Sequence, residues 1–292
     1  MDMKENSDDG KEYSKQAPNS IVAKSKIQNI MNNTRDKLHR GNFKEDEYEI
    51  VPIILKTNMI GDSFDNYKIV QVSDIHLGQW INKNKLDGVV SLINNLNPDI
   101  IALTGDYVSY EAKKYLDELS ECLGKLQSAD GIFSVLGNHD HWTMPKEISK
   151  VMENVGIVNL NNDVYTIEKN EDKLQIAGVD SITVGQDDIN KVLKKIDNDF
   201  PAIMLAHEPD FADTTSKYYP FILQLSGHSH GGQLTIPKLG SPIRGKNFLK
   251  YPSGAYKVNN MIQYTNRGIG TNAFWYRINC PPEITEIKLK KV

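Results

Sequence analysis

Six of the seven histidines fall in short polar clusters: His76 in S-D-I-H, His139 and His141 in G-N-H-D-H, His207 in A-H-E, and His228 and His230 in G-H-S-H-G-G. Only His39 lies apart. Each cluster follows an apolar run, and an acid or amide stands in or near it: Asp74, Asp106 in a G-D pair, Asn138 and Asp140. Random placement would scatter the imidazoles. The D-x-H and H-x-H spacings can send two side chains to the same side of the chain, as a shared ion requires. Imidazole mixed with carboxylate suits manganese, iron or zinc better than calcium. Two such ions need a bridging carboxylate, and a lone Asp after a tight glycine fits that place.

Taken singly, most of these residues have plainer uses. Asp74 with His76 would serve as a loop pair or helix cap, and His207 as a buried histidine bonded to a carbonyl. Asn138 suits a turn and Asp106 a cap. The Gly227-His228-Ser229-His230 turn resists such a reading, because two imidazoles between glycines have little packing purpose. What defeats the plain readings is joint occurrence in one order.

The elements that would position these clusters alternate along the chain. KIVQVS, DIIALT and GIFSVL read as buried strands, with helices between them through Leu86, Val89, Val90, Ile93 and Leu96, and through Ala112, Tyr115, Leu116, Leu119, Leu123 and Leu126. MPKEISKVMENVG reads as a helix opened by Pro145 and ended at Gly156. Strands DVYTIEK and KLQIAGV follow, then a helix through Ile189, Val192, Leu193 and Ile196, and then AIMLA, FILQLS, MIQYTN and EITEIKL as strands. This order predicts an α/β sandwich rather than one uniformly parallel sheet. Strand ends are where α/β folds build sites, so the clusters are expected to meet at one edge.

With 292 residues, 39% of them apolar, the chain can bury a sizeable core. A formal charge of −4 supplies no general basic field, and nucleic acid is not expected as the main ligand. Cys122 and Cys280 are the only cysteines; their spacing excludes a disulfide scaffold but not a single bridge. No bilayer-length apolar run and no secretory signal core occur, so a cytoplasmic enzyme is the expectation. Residues 1–49 read as a polar tail, and 50–292 as one domain. Within the tail, Ile27, Ile30, Met31 and Leu38 among Lys24, Lys26, Arg35, Lys37 and Arg40 allow a basic amphipathic helix touching a membrane surface; a solvated arm is the other reading.

The series D-x-H, G-D, G-N-H-D, lone His and G-H-x-H resembles the calcineurin-like metallophosphoesterase family, from about Lys68 to the C terminus. The closing N-R-G-I-G-T and N-C-P-P-E-I-T-E-I segments look like its bacterial, often membrane-associated, phosphodiesterase-like branch. The resemblance implies two facing mixed β-sheets flanked by helices, an αββα sandwich, with two divalent metal ions on loops at the sheet edges. It implies that Asp74, His76 and His230 hold one ion, that Asn138, His207 and His228 hold the other, and that Asp106 bridges them. His139 would be the catalytic histidine that is not a ligand, and Asp140 would orient a neighbour. A metal-bridging hydroxide would attack phosphorus in line, without a covalent enzyme intermediate.

One position departs from many relatives: Ser109 stands three residues beyond Asp106, where they carry an acid that steadies the catalytic imidazole. The substrate would be a phosphorylated small molecule or lipid head group. The loop from Pro237 to Tyr256 mixes Lys238, Arg244, Lys246 and Lys250 with Phe248, Leu249 and Tyr251, and could recognise such a head group or be a solvated surface loop. Two readings compete with a hydrolase: a metal-binding module without turnover, and a membrane-surface binding protein using its basic segment.

Overall fold

A computed structural model describes residues 18–37, 41–237, 239–243, 245–272 and 276–292. In chain order the elements are α1 (Pro18–Lys37), β1 (Glu49–Thr57), β2 (Lys68–Val72), α2 (Lys83–Asn95), β3 (Ile100–Leu103), α3 (Ala112–Leu123), β4 (Gly131–Ser134), α4 (Asn138–Thr143), α5 (Pro145–Asn154) and β5 (Val158–Asn159). Then come β6 (Asp163–Lys169), β7 (Asp172–Gly178), α6 (Ile189–Leu193), β8 (Ala202–Leu205), α7 (Ala212–Thr215), β9 (Phe221–Ser226), β10 (Gly254–Val258), β11 (Met261–Thr265) and β12 (Glu283–Lys291).

Two six-stranded mixed sheets result, ordered β1-β12-β2-β3-β4-β5 and β10-β11-β9-β8-β7-β6. Strands β2 to β5 run parallel in the first, and β7, β8, β9 and β11 in the second. Parallel strands covered on both faces need continuous apolar sequence, which explains the unbroken runs of β3 and β8; in β2 the run is interrupted by Gln71, buried and bonded to Thr104 and the Ser226 carbonyl. Their period-2 geometry sorts the residues between layers. Ile69 and Ile100 join Phe133, Ile203, Leu205, Leu223 and Tyr264 in one core between the sheets. Val70, Val72, Ile101 and Leu103 face the other way, onto Leu86, Val89 and Ile93 of α2 and Leu119 of α3. A smaller core under α6 and α7 contains Val192, Met204, Phe211 and Ala212. The α/β sandwich expected from the element order, in the two-sheet αββα form that the family resemblance implies, is therefore the fold.

Three local expectations change. Residues 18–37 form a helix rather than a solvated arm, and Gln28, Asn32 and Arg35 of that helix are buried; Leu38, His39 and Arg40 lie outside the described residues. The helix expected to reach Ile196 closes at Leu193. The end of the Pro237–Tyr256 segment is strand β10, paired antiparallel with β11, while its Lys238 and Arg244 lie outside the described residues. Cys122 and Cys280 are both buried and unpaired with each other. Among the described residues, no helix is long and apolar enough to cross a membrane.

Candidate metal centre

The polar clusters leave the C-terminal ends of adjacent parallel strands. Asp74 and His76 follow β2, Asp106 follows β3, and Asn138 begins α4 after β4; His207 follows β8, and His228 and His230 follow β9. Because the two sheets face each other, these ends meet at one edge. The loops turn sharply there: Asp74, His76, Asp106, His228 and His230 all have positive φ, between 47° and 64°. Left-handed backbone costs roughly 1–2 kcal/mol for a residue with a side chain, and such strain collects where side-chain direction matters more than local stability. Gly105, at φ +94°, could not be replaced cheaply, since a Cβ there would stand 2.7 Å from both the Gly137 nitrogen and His207 Nδ1.

The side chains form three groups whose donor atoms lie within 4.8 Å of one another: Asp74, His76 and His230; His76, Asp106 and His139; and Asp106, His207 and His228. Asp106 Oδ2 lies 3.5 Å from His76 Nε2 and 3.3 Å from His207 Nε2, so it stands between the first and last groups. His230 Nε2 is 3.2 Å from Asp74 Oδ1 and 3.1 Å from His76 Nε2. His228 Nδ1 is 3.2 Å from His207 Nε2. Facing nitrogens at such distances gain little from one another and suit a shared cation. Asp74 Oδ1 and Asn138 Oδ1 are buried without a hydrogen-bond partner, which a buried oxygen rarely is unless it serves a ligand. The donor set, carboxylates, imidazoles and one carboxamide oxygen, fits transition-metal dications.

Neighbouring groups fix the ring orientations. His207 is held through Nδ1 by the Thr104 carbonyl at 2.7 Å, and His76 through Nδ1 by Ser109 Oγ at 3.1 Å. Burial, reinforced by nearby imidazoles, holds His76 well below the usual imidazole range. Burial and then the Arg277 charge do the same to His230. Both shifts favour the neutral ring, the form in which an imidazole can hold a metal. Burial also opposes charge on His207 and Asp106, but their mutual attraction prevails, raising the imidazole pKa and lowering that of the carboxyl.

Ser109 does not touch His139. The parallel bridge between Leu77 and Val108 brings it beside His76 instead. Asp140 likewise braces backbone: it accepts from the Asp106, Tyr107 and Gly137 nitrogens at 2.8, 2.9 and 2.9 Å, tying the loop after β3 to the start of α4. Burial and then Asp106 push its carboxyl up to about 7. His139 sits inside the cluster edge, its ring 4.7 Å from His76, 4.8 Å from Trp142 and 5.4 Å from Tyr110. His141 leaves the cluster and pairs with Asp180.

Several contributors, Arg277, Tyr110, Trp142 and Asn272 among them, carried no sequence signal, whereas Lys24 and Phe248 belong to the basic helix and the loop after Pro237 that the sequence singles out. Arg277 donates to the carbonyls of Arg267, Gly268 and Gly270, clamping a segment whose Ile269 and Gly270 nitrogens bond back to Ser73 and Asp74. A cavity of about 350 Å³ opens at His139 and His228 and is lined also by Lys24, Tyr110, Trp142, Phe248 and Asn272. Their sequence positions are scattered, and only the fold brings them together.

The description "Calcineurin-like phosphoesterase" applies to a family whose sequence pattern matches residues 67–232, more than half of the chain. The chain belongs to the calcineurin-like phosphoesterase family. It is 34% identical to the uncharacterised metallophosphoesterase YkuE of Bacillus subtilis over 81% of this chain and 83% of that one. It is 28% identical to phosphodiesterase YaeI of Escherichia coli, over 78% and 84% of the two chains. A transmembrane protein with metallophosphoesterase domain from Danio rerio is 31% identical over 83% of this chain but only 57% of its own length. As a calcineurin-like phosphoesterase, the protein is a hydrolase of phosphoric esters.

Proposed function

We propose that the protein is a binuclear metal-dependent phosphoester hydrolase, in which Asp74, His76 and His230 hold one divalent cation, Asn138, His207 and His228 hold the other, and Asp106 is shared. The observation that carries this reading is the place of Asp106 Oδ2 between His76 Nε2 and His207 Nε2. Asp74 Oδ1, beside His230 Nε2 at 3.2 Å, and the unpartnered Asn138 Oδ1 support it from either side. When bound, such cations acidify a water and neutralise phosphoryl oxygens.

The protein's own groups complete the task. The Thr104 carbonyl and Ser109 hydroxyl keep Nε2 of His207 and His76 turned inward. His139, lining the cavity with Nε2 3.5 Å from Asn272 Nδ2, presents a ring nitrogen that hydrogen-bonds the ester's leaving oxygen and passes it a proton. Asp106 Oδ1 accepts the His139 backbone N–H at 2.8 Å, so the histidine is indexed to the shared carboxylate. Manganese, iron or zinc suits the donor set. Exposed Ile243 and Leu249 beside Phe248 give a lipid chain a place along the loop, which favours a phosphorylated lipid head group beside a soluble ester as substrate.

Metal analysis together with hydrolysis of bis(p-nitrophenyl) phosphate and p-nitrophenyl phosphate tests the reading. Two ions per chain, activity lost in chelator and restored by manganese, iron or zinc are expected. A single ion per fully active chain, or full activity after prolonged chelation, would overturn it.

A further inference from the structure

Helix α1 docks along one face. Gln28, Asn32 and Arg35, spaced four and three residues apart, are buried together. Gln28 and Asn32 side-chain amides both donate to the Gly78 carbonyl, and the Arg35 guanidinium donates to that of Gln79. Asn29 Nδ2 reaches Glu111 Oε1 at 3.2 Å. These contacts fall on the loop that leaves His76 and on the start of α3, so the helix is registered against the metal centre's own scaffold. One turn before Gln28 on the same face is Lys24, whose ammonium stands 5.5 Å from the centre of the Tyr110 ring. Lys24 lines the cavity that His139, His228 and Trp142 also line. It lines as well the adjoining space of about 230 Å³ bounded by Gln28, Tyr110 and Asn272. No carboxylate of the described residues pairs with it.

We propose that Lys24 is a specificity-determining residue, which α1 holds at the mouth of the metal centre to bind a second anionic group on the substrate, beyond the phosphoryl group at the metals. The proposal rests on the reading of the site as a phosphoester-binding metal centre. Cations in that centre address only the phosphoryl group. Lys24 adds one further cation, displaced toward Tyr110 and Asn272, on a side of the cavity otherwise formed by neutral groups. A second phosphate or a carboxylate gains charge-assisted bonds there that a singly charged ester cannot make. Of the described basic residues of α1, Lys24 is the one that lines the site. Lys26, two residues on, is exposed on another face of the helix and serves as the internal control.

Calorimetric binding of esters, supplied as their non-hydrolysable phosphonate analogues, to the metal-loaded full chain reads the contact without turnover. Two matched pairs are used: thymidine 5′-phosphate against thymidine 3′,5′-bisphosphate, and dihexanoyl phosphatidylinositol against its 4-phosphate. Wild type should bind the doubly phosphorylated member of at least one pair roughly fivefold tighter or more. Preference in the first pair identifies a soluble ester, in the second a lipid head group. Lys24→Ala should bring that ratio to about one, with Lys24→Arg restoring it and Lys26→Ala keeping it. No preference in either pair, or a preference that survives Lys24→Ala, would overturn the proposal. Hydrolysis of the corresponding p-nitrophenyl esters separates the two readings. Preference without metal-dependent turnover defeats the hydrolase mechanism alone, whereas turnover without preference defeats the role of Lys24 alone.

Discussion

Replacing Ser109 by alanine tests how the buried imidazoles are oriented. Ser109 is almost wholly buried, and its Oγ lies 3.1 Å from His76 Nδ1. With a cation held between His76 Nε2 and the Asp74 and Asp106 carboxylates, as proposed, the ring proton would stand on Nδ1 and the serine oxygen would accept it. In Ser109→Ala no solvent reaches that nitrogen, because His76 is fully buried. A buried donor left unmade costs about 1–3 kcal/mol. If the cost falls on the ligand-competent tautomer, metal affinity drops by roughly 10–100-fold, the range known for groups that orient a ligating histidine. Competition against a fluorescent chelator measures that affinity directly, and urea unfolding of the metal-free protein isolates any loss of stability alone. Affinity within twofold of wild type, joined to a shifted acid limb in the rate–pH profile, would refute this account. That result would return Ser109 to the catalytic imidazole, where comparison by motif alone had set it.

Asp106→Asn should lower bound metal and cut the rate about 100-fold or more, since a neutral amide bridges two cations poorly; His139→Ala should keep both ions and lose about 10²–10⁴-fold in turnover. Equal metal loss in the two variants, by elemental analysis, would show the roles to be misassigned. Gly227→Ala places a methyl 1.8 Å from Ser73 Oγ and 2.3 Å from Asp74 Oδ2, so it should destabilise the fold by about 1–3 kcal/mol and weaken metal binding through Asp74. An unchanged urea midpoint would show that this turn relaxes freely.

The candidate ligand types and their order were legible because each stands after a largely apolar strand, and strand-to-loop junctions can be read from periodicity. The α/β sandwich was legible for a related reason, whereas its two-sheet αββα form came from the family resemblance. Two-sided burial of β3 and β8 demands unbroken apolar runs, while β10 and the second half of β12 alternate less and more exposed positions. Tertiary structure alone decided what each group touches. Ser109 meets His76 because a bridge pairs Leu77 with Val108, a contact between chain segments about 31 residues apart that spacing cannot encode. Asp140 braces backbone nitrogens rather than a ring, since the first turn of α4 points its carboxylate back under the loop after β3. Residues 18–37 carry a composition too polar to announce burial, and they become an ordered wall only through hydrogen bonds to carbonyls of the loop after His76. Local sequence sets which groups can act and which strand end presents each one. Only the closure of two sheets upon each other brings those groups to within 3.1–3.5 Å of one another.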